Sequence, residues 1–388
     1  MAMGELKHTI LQVLPALQTG GVERTTVDIA AAVVEGGGRA LVASAGGRMV
    51  AELDAVGAEH VALPLSTKSP VGIWRNAGRL ADVIEREGVG LVHARSRAPA
   101  WSALWAARRT GRPFVTTFHG IYTEKTPPKA LYNSVMARGD AVIANSHFTA
   151  DVIARRYPFA AGKIVPIARG IDIDAMTADA SERVPALLAR FGIEAGVPVI
   201  LHLARLTALK GHEVVIDALH ILKETLSTPF VCVMAGDDHG REAFRKGLEA
   251  KAAGLGLENE ARFVGHVSDV AGALAASTVA IQPSIVPESF GRAAVEAQAA
   301  AVPVVVSDLG AVSETVLAPP AVADEERTGF RVRANDAGAL AGALATLLEA
   351  PEDERRAMGE RGRAHASAHF SITSMQMKTL RVYRSLLE

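Results

Sequence analysis

Short apolar runs and longer amphipathic stretches alternate along the whole chain. In the first half the runs are HTILQVLP, ALVASA, HVALPL, GLVHAR, PFVTTFH, AVIANS and KIVPIA. Between them lie stretches such as VERTTVDIAAAVVEG and GIWRNAGRLADVIEREG, whose apolar positions recur at helical spacing. In the second half PVILHLAR, PFVCVMAG, ARFVGH, VAIQPS and PVVVSD alternate with GHEVVIDALHILKETL, REAFRKGLEAKAAGLG, VAGALAAS and ESFGRAAVEAQAAA. Strands that are apolar throughout are buried on both faces, which is the condition of a parallel sheet covered by helices. The series occurs twice, and the pattern breaks over residues 170–185, GIDIDAMTADASERVP. The expected fold is α/β, with two Rossmann-like doubly wound parallel-sheet domains over residues 1–176 and 177–370, facing a central cleft. Residues 371–388 read as a terminal helix that packs back on the first domain. In such sheets ligands bind beyond the carboxyl ends of the strands.

The length of 388 residues suits two domains, and a hydrophobic content of 49% supplies large cores and excludes disorder of the whole chain. A formal net charge of −1 gives no field for nucleic acid. The charge is uneven: residues 1–176 hold 20 Lys and Arg against 15 Asp and Glu, and the remainder holds 21 against 27. A mildly basic first half suits an anionic membrane face or an acidic acceptor. The start, MAMGELKHTILQVLP, has no long apolar segment, and no run approaches the ~18 apolar residues of a membrane span. A cytoplasmic protein is expected, with peripheral contact to the anionic inner face of the membrane. The single cysteine, Cys232, excludes an internal disulfide and a cysteine metal site, and reads as a core residue.

Three stretches carry candidate chemistry. In LPALQTGGVERTTVDIA a strand ends, Gly20 and Gly21 form a turn, and a helix begins near Val22. Glycines let backbone approach a phosphate, and a helix N-terminus favours an anion; an ordinary strand-to-helix turn has the same look. In LHLARLTALKGHEVVIDAL, Arg205 and Lys210 follow a strand and can neutralise a diphosphate, as a bidentate fork and a point charge. In PESFGRAAVEAQ, Glu288 and Glu296 stand eight positions apart. If the segment is helical from Ser289 onward, they are separated by about 12 Å of rise and rotated by roughly 80°. That geometry excludes a close acid–base pair and suits two grips on a long ligand. Glu296, among Ala and Val, needs a partner, and ligand hydroxyls would serve.

Together these stretches resemble family 4 of the retaining glycosyltransferases, which have the two-domain GT-B architecture. ESFGRAAVE followed by AAAVPVVVS resembles the family's E-x7-E signature. ARLTALKG, RGID at 169–172 and the Gly20-Gly21 turn agree with it in order and spacing. The resemblance implies a UDP- or GDP-linked sugar donor, held mainly by the second domain, and a metal-independent reaction without a cofactor. Arg205 and Lys210 would bind the diphosphate and stabilise the leaving group. Glu288 would hold hydroxyls of the transferred hexose, and Glu296 those of the ribose. Backbone amides at Ser289, Phe290 and Gly291 would face donor oxygens, and Gly20 and Gly21 would close over the diphosphate. The base would lie against Gly265, His266 and Val267. His119, in TTFHG, matches the family's histidine beside the transferred sugar. The acceptor would be a cell-envelope glycan or glycolipid such as lipopolysaccharide core.

Arg95, Arg97, Tyr122, Glu124 and Lys125 are acceptor-side candidates without a signature of their own, and a solvated loop explains them nearly as well. Two acidic clusters look like metal ligands but read as structural: Asp172-Ile173-Asp174 in the linker, and Asp237-Asp238-His239 as a turn after a strand. Two other functions stay open at this level. One is a nucleotide-sugar epimerase of the same architecture. The other is a nucleotide-sugar binder without catalysis.

Overall fold

A computed structural model of the chain describes residues 6–18, 20–124 and 126–388. The chain forms two compact units. The first comprises the described residues up to Gly170 together with Ile372–Glu388, and the second comprises Ile171–Ser371.

The first unit holds β1 (Thr9–Val13), β2 (Arg39–Ser44), β3 (Glu59–Ala62), β4 (Val89–Ala94), β5 (Phe114–Phe118), β6 (Ala141–Ala144) and β7 (Ile164–Pro166). They pair in parallel in the order β3-β2-β1-β4-β5-β6-β7. The second unit holds β8 (Val199–Leu203), β9 (Val231–Ala235), β10 (Ala261–Gly265), β11 (Val279–Gln282), β12 (Val304–Ser307) and β13 (Gly329–Val332). These are also parallel, in the order β10-β9-β8-β11-β12-β13. Each apolar run in the sequence matches one of the first twelve strands to within a residue or two at its start. The thirteenth, GFRV, lies at a sheet edge with Arg331 in its middle, so it shows no continuous apolar run. The Arg331 guanidinium turns back and donates to the carbonyls of Ala318 and Pro319.

Both sheets are buried on both faces, as the apolar runs require. From β1, Leu11 and Val13 pack with Leu80, Ile84 and Leu104 on one face, while Ile10 packs with Ile29, Val33 and Leu380 on the other. From β8, Ile200 packs with Leu219 and Leu344, while Val199 and Leu201 pack with Leu187, Phe191 and Ala297. Cys232 is fully buried on β9, and burial pushes its thiol pKa up, away from the reactive thiolate.

The chain crosses twice between the units. The helix Glu352–Phe370 belongs to the second unit, and the terminal helix Ile372–Leu387 belongs to the first. The terminal helix buries Met375, Leu380, Val382 and Tyr383 in one core of the first unit, and Gln376 donates to the Asp28 carbonyl at 2.8 Å. The Tyr383 hydroxyl lies 2.6 Å from Nδ1 of His93, whose Nε2 lies 2.7 Å from the Thr117 hydroxyl. Among the described residues, no helix is long and apolar enough to cross a membrane.

Tyr383 is 0% exposed, so the terminal helix is fastened through a side chain that must pair its hydroxyl inside the core. Tyr383→Phe leaves a buried His93 nitrogen without its partner and costs about 1–3 kcal/mol. Tyr383→Ala adds a cavity and costs about 3–5 kcal/mol. Urea unfolding measures both, and an unchanged midpoint for Tyr383→Phe would contradict this account.

Candidate active site

In each sheet the strand order reverses once, between β1 and β4 in the first and between β8 and β11 in the second. Helices leave to opposite faces on either side of that point, so a crevice opens beyond the strand ends. Arg205, Lys210 and Glu288 follow the strands at that point in the second unit, and Arg95 and the Gly20-Gly21 turn do so in the first, while Gly265 ends β10 at a sheet edge and is followed by His266 and Val267.

In the second unit, Arg205 and Lys210 follow β8, and Ser284 and Glu288 follow β11. The Lys210 ammonium donates to Glu288 Oε1 at 2.6 Å, and the Ser284 hydroxyl donates to the same oxygen. The two loops are also joined by the Ile285 amide on the Leu209 carbonyl at 3.1 Å. Arg205 is exposed and makes no ion pair or hydrogen bond among the described residues, so its guanidinium is free to take a ligand. Two glycines allow close backbone contacts here, one between these two loops and one between the β11 loop and the loop after β12. Gly211 has φ 73°, and a Cβ there would lie 1.9 Å from the Pro283 carbonyl oxygen. Gly310 has φ 75°, and a Cβ there would lie 2.3 Å from the carbonyl oxygen of Glu288.

The E-x7-E segment differs from the continuous helix expected of it. Residues 287–291 form a loop, Glu288 bridges to Gly310, and the helix Arg292–Ala299 starts only after Gly291, whose φ is 85°. Gly291 in that left-handed conformation ends the loop, so the Ser289, Phe290 and Gly291 amides precede the helix. Phe290 is buried and packs edge-on against Phe370 at 5.6 Å. Buried Gln282 caps the helix by accepting from the Ala294 amide at 3.1 Å. Glu296 already has a partner, Arg292 at 2.7 Å, one helical turn before it. That i,i+4 pair was visible in the sequence, and it removes the need for ligand hydroxyls to compensate the charge. The two glutamates thus have separate partners and separate surroundings. At the end of β10, Gly265 takes φ 69° and His266 is exposed, while the Val267 side chain is buried, which leaves its backbone alone for contact.

Beneath the Arg205–Lys210 loop lies a pair absent from the sequence reading. His202 on β8 and His212, which opens the helix His212–Thr225, have ring centroids 4.4 Å apart. His212 Nδ1 donates to the Thr207 carbonyl at 3.3 Å. Neither His202 ring nitrogen meets a well-formed partner, although the Lys210 backbone slightly favours its charged form. Burial holds the His202 pKa well below the ordinary value, with His212 and Lys210 adding to the effect. Burial lowers His212 to about 4.

In the first unit, Gly20 precedes the helix Gly21–Glu35, one residue before the expected start. Thr25 of that helix donates to the Gly21 carbonyl at 2.9 Å and accepts from Arg95 at 2.8 Å. Arg95 follows β4 and is 3% exposed, not solvated as a loop residue would be; burial lowers its pKa to about 10. His119 follows β5. Both its ring nitrogens are sealed and unpartnered among the described residues. Burial first, and then Arg95, Arg169 and His93, hold its pKa well below the ordinary value, so it is a neutral imidazole. Arg97, Tyr122 and Glu124 form one knot. The Arg97 guanidinium lies 4.1 Å over the Tyr122 ring and donates to Asn133 at 2.8 Å. Glu124 accepts from the Tyr157 hydroxyl and from Asn133, and Arg156 lies 3.6 Å away. Lys125 lies outside the described residues.

The two acidic clusters make turns. Asp172 accepts from the Ala175 amide, Asp237 from the His239 amide, and Asp238 from the Gly240 amide. Among the described residues no group of three or more His, Cys, Asp or Glu could hold a metal ion.

Two outcomes follow for the second unit. Gly211→Ala combines left-handed backbone with a backbone clash and costs at least about 1–3 kcal/mol. Differential scanning calorimetry reads the loss, and a wild-type melting temperature would contradict the packing. A folded-state histidine pKa below the unfolded value means that the unfolded chain binds protons first. Stability is therefore full above about pH 6.5 and falls as pH drops toward the folded pKa, by up to ~1.4 kcal/mol per pH unit for each such histidine. His202→Phe should flatten this acid slope in urea titrations between about pH 6.5 and 4.5. An unchanged slope would contradict the buried pair.

Family models place the chain among known proteins. The model described as Glycosyl transferases group 1 matches residues 185–365, and that described as Glycosyltransferase Family 4 matches residues 19–175. The D-inositol 3-phosphate glycosyltransferase of Streptomyces avermitilis is 30% identical over 316 residues, which cover 77% of this chain and 66% of that protein. The match thus spans just under two thirds of that relative's length. The phosphatidyl-myo-inositol mannosyltransferase of Mycobacterium leprae is 30% identical, over 74% of this chain and 71% of that protein. A crystal structure of a glycosyltransferase from Rickettsia africae superposes with a TM-score of 0.87 at 35% identity, over 98% of this chain and 99% of that one. HepE of Anabaena, solved with UDP and glucose, shares the fold with a TM-score of 0.80 at 24% identity, over 98% and 100%. With two parallel Rossmann-like sheets of seven and six strands and both halves matched, the chain belongs to glycosyltransferase family 4 and has the GT-B fold.

Proposed function

We propose that the chain is a retaining, metal-independent hexosyltransferase that moves a sugar from a UDP- or GDP-linked donor to a hydroxyl of a cell-envelope glycan or glycolipid. The observation that carries this reading is the meeting of Lys210 and Glu288 at 2.6 Å, beside the unpaired Arg205, beyond the ends of β8 and β11. A carboxylate that accepts from Lys210 and Ser284 on one oxygen keeps the other for sugar hydroxyls. An ammonium has three donors, so Lys210 can hold Glu288 and still reach a phosphate. Arg205 brings a bidentate fork to the same anion.

In the reaction the bond between the anomeric carbon and the diphosphate oxygen breaks, and the bond to the acceptor oxygen forms. The acceptor proton leaves with the departing diphosphate. Negative charge grows on that leaving group, and Arg205 and Lys210 supply fixed positive charge where it grows. His119, kept neutral by burial and by its cationic neighbours, acts as a hydrogen-bonding group toward the transferred sugar. Glu296 with Arg292, and the backbone of Gly265, His266 and Val267, are assigned to the nucleoside. The knot of Arg97, Tyr122 and Glu124 is assigned to the acceptor, with Arg95 behind the glycine turn. Two relatives are named for inositol phosphate and phosphatidyl-inositol substrates, so lipopolysaccharide core is one acceptor candidate among several.

Glu288→Gln should fold normally and lose turnover by about 100-fold or more, the scale of removing a charged contact made at the transition state. The product should keep the donor's anomeric configuration by NMR, and a chelator should leave the rate unchanged. Wild-type turnover in Glu288→Gln would remove the donor assignment, and an inverted product or a chelator-sensitive rate would refute the corresponding part of the mechanism.

A further inference from the structure

The loop that carries Glu288 is anchored by Phe290. Residues 285–289 are exposed or half-buried, whereas Phe290 is 4% exposed. Its ring meets that of Phe370 edge-on, with centroids 5.6 Å apart and planes at 80°. Phe370 is buried and ends the helix Glu352–Phe370. The same ring meets His365 of that helix at 5.3 Å and 86°. His365 Nε2 lies 3.3 Å from the Glu314 carbonyl, so this nitrogen carries the proton and donates it. Glu314 belongs to the short helix Val312–Thr315, which directly follows Ala311. The Ala311 amide donates to the Glu288 carbonyl at 2.8 Å, and the Glu288 amide donates to the Leu309 carbonyl at 3.4 Å. The contacts close a ring, from Glu288 through Phe290, Phe370, His365, Glu314 and Ala311 back to Glu288. Every link lies within the second unit.

The helix Glu352–Phe370 is a firm base for this ring. A Cβ at Gly359 would lie 1.9 Å from the Ala301 carbonyl oxygen, so the helix is seated directly on the end of the helix Arg292–Ala299. At its last residue the Phe370 carbonyl accepts from the Ile171 amide at 2.7 Å. Phe370 is thus fixed by backbone and by ring, and the side chain it holds is two residues from Glu288. Burial, and then His369, keep the His365 pKa below the ordinary value, so its ring packs on Phe370 without a charge. Lys210 and Ser284 bind one carboxylate oxygen of Glu288 but are themselves carried on loops. They tether Glu288 at that oxygen and leave its backbone to be placed by the ring. A group misplaced by about 1 Å can cost about 100-fold in rate.

We propose that Phe370 and His365 are positioning residues for the transfer step: acting through Phe290 and Glu314, they set where the second oxygen of Glu288 meets the donor sugar. The inference rests on the donor reading of Glu288 given above. It is tested on the full chain by the release of UDP or GDP from a panel of UDP- and GDP-hexoses, with Phe370→Leu, His365→Leu and His365→Gln alone and combined with Glu288→Gln. Phe370→Leu and His365→Leu should each lower kcat by about tenfold or more. Calorimetric affinity for the nucleoside diphosphate alone should stay unchanged, since Glu288 meets only the sugar. His365→Gln, which keeps an N–H near the Nε2 position, should recover most of the rate. On the Glu288→Gln background Phe370→Leu should cost nothing further, because its effect runs through the carboxylate already removed. In a crystal structure of Phe370→Leu, residues 287–291 should be displaced while the helix Arg292–Ala299 stays in place. Circular dichroism checks folding, and the half-buried His365 site supplies the answer if Phe370→Leu does not fold. Wild-type kcat in the folded Leu variants, losses that add to that of Glu288→Gln, or an unmoved loop would overturn this inference alone. Wild-type turnover in Glu288→Gln, or no turnover of the panel by the wild type, would remove the donor reading itself and this inference with it.

Discussion

Lys210 and Glu288 stand 78 positions apart in the chain and 2.6 Å apart in space. Only the reversal of strand order between β8 and β11 allows this. On every other edge of the sheet a helix crosses over the strand ends and separates the loops, but at the reversal the two connections turn away from each other. Two bare loops are left side by side, and no side chain can stand between them. Gly211 against Pro283 removes a Cβ atom that would hold these two loops apart, and Gly310, after β12, lets a third loop close on the Glu288 backbone. The pairing of a cation with a carboxylate is then a consequence of topology plus the missing side chain at Gly211. Its worth is preorganisation: both charged groups are fixed before any ligand arrives, at partly buried positions where water screens them less.

The first unit applies the same rule with different chemistry. Its reversal lies between β1 and β4, and there the Gly21 helix meets Arg95 through Thr25. Under this site the chain from Tyr383 to His93 to Thr117 ties β4 to β5 one residue before each strand ends. Burying several basic groups together is costly, and the structure limits the cost by keeping His93 and His119 neutral and leaving the charge on the arginines. The second unit does likewise beneath Lys210, with His202 and His212. In both units the buried histidines near a cationic loop are held uncharged.

The parts of this that were legible in the sequence are those written in local pattern. Twelve strands announced themselves as apolar runs because each sheet is covered on both faces, and the series occurred twice because the chain builds two sheets. The stretch around Glu288 was placed correctly beyond a strand, but it was read as helix, because nothing local says that Gly291 takes a left-handed conformation and delays the helix to Arg292. The Arg292–Glu296 pair was there to be read at its four-residue spacing. The contacts of Lys210 with Glu288, of Ser284 with Glu288 and of His93 with Tyr383 were not, since two of them join residues 78 and 290 positions apart and the third is a loop conformation. Strand β13 was hidden by the charge at its centre, which belongs on an edge.

The central claim is that the loops after β8 and β11 form one site for a nucleotide diphosphate sugar. Calorimetric titration of the full chain with UDP- and GDP-hexoses, repeated on Arg205→Ala, tests it most directly. The account predicts saturable one-site binding of at least one donor, with affinity lowered by about tenfold or more in the variant, as expected when a charge-assisted contact to phosphate is removed. No binding of any nucleotide sugar, or binding that Arg205→Ala leaves unchanged, would contradict it.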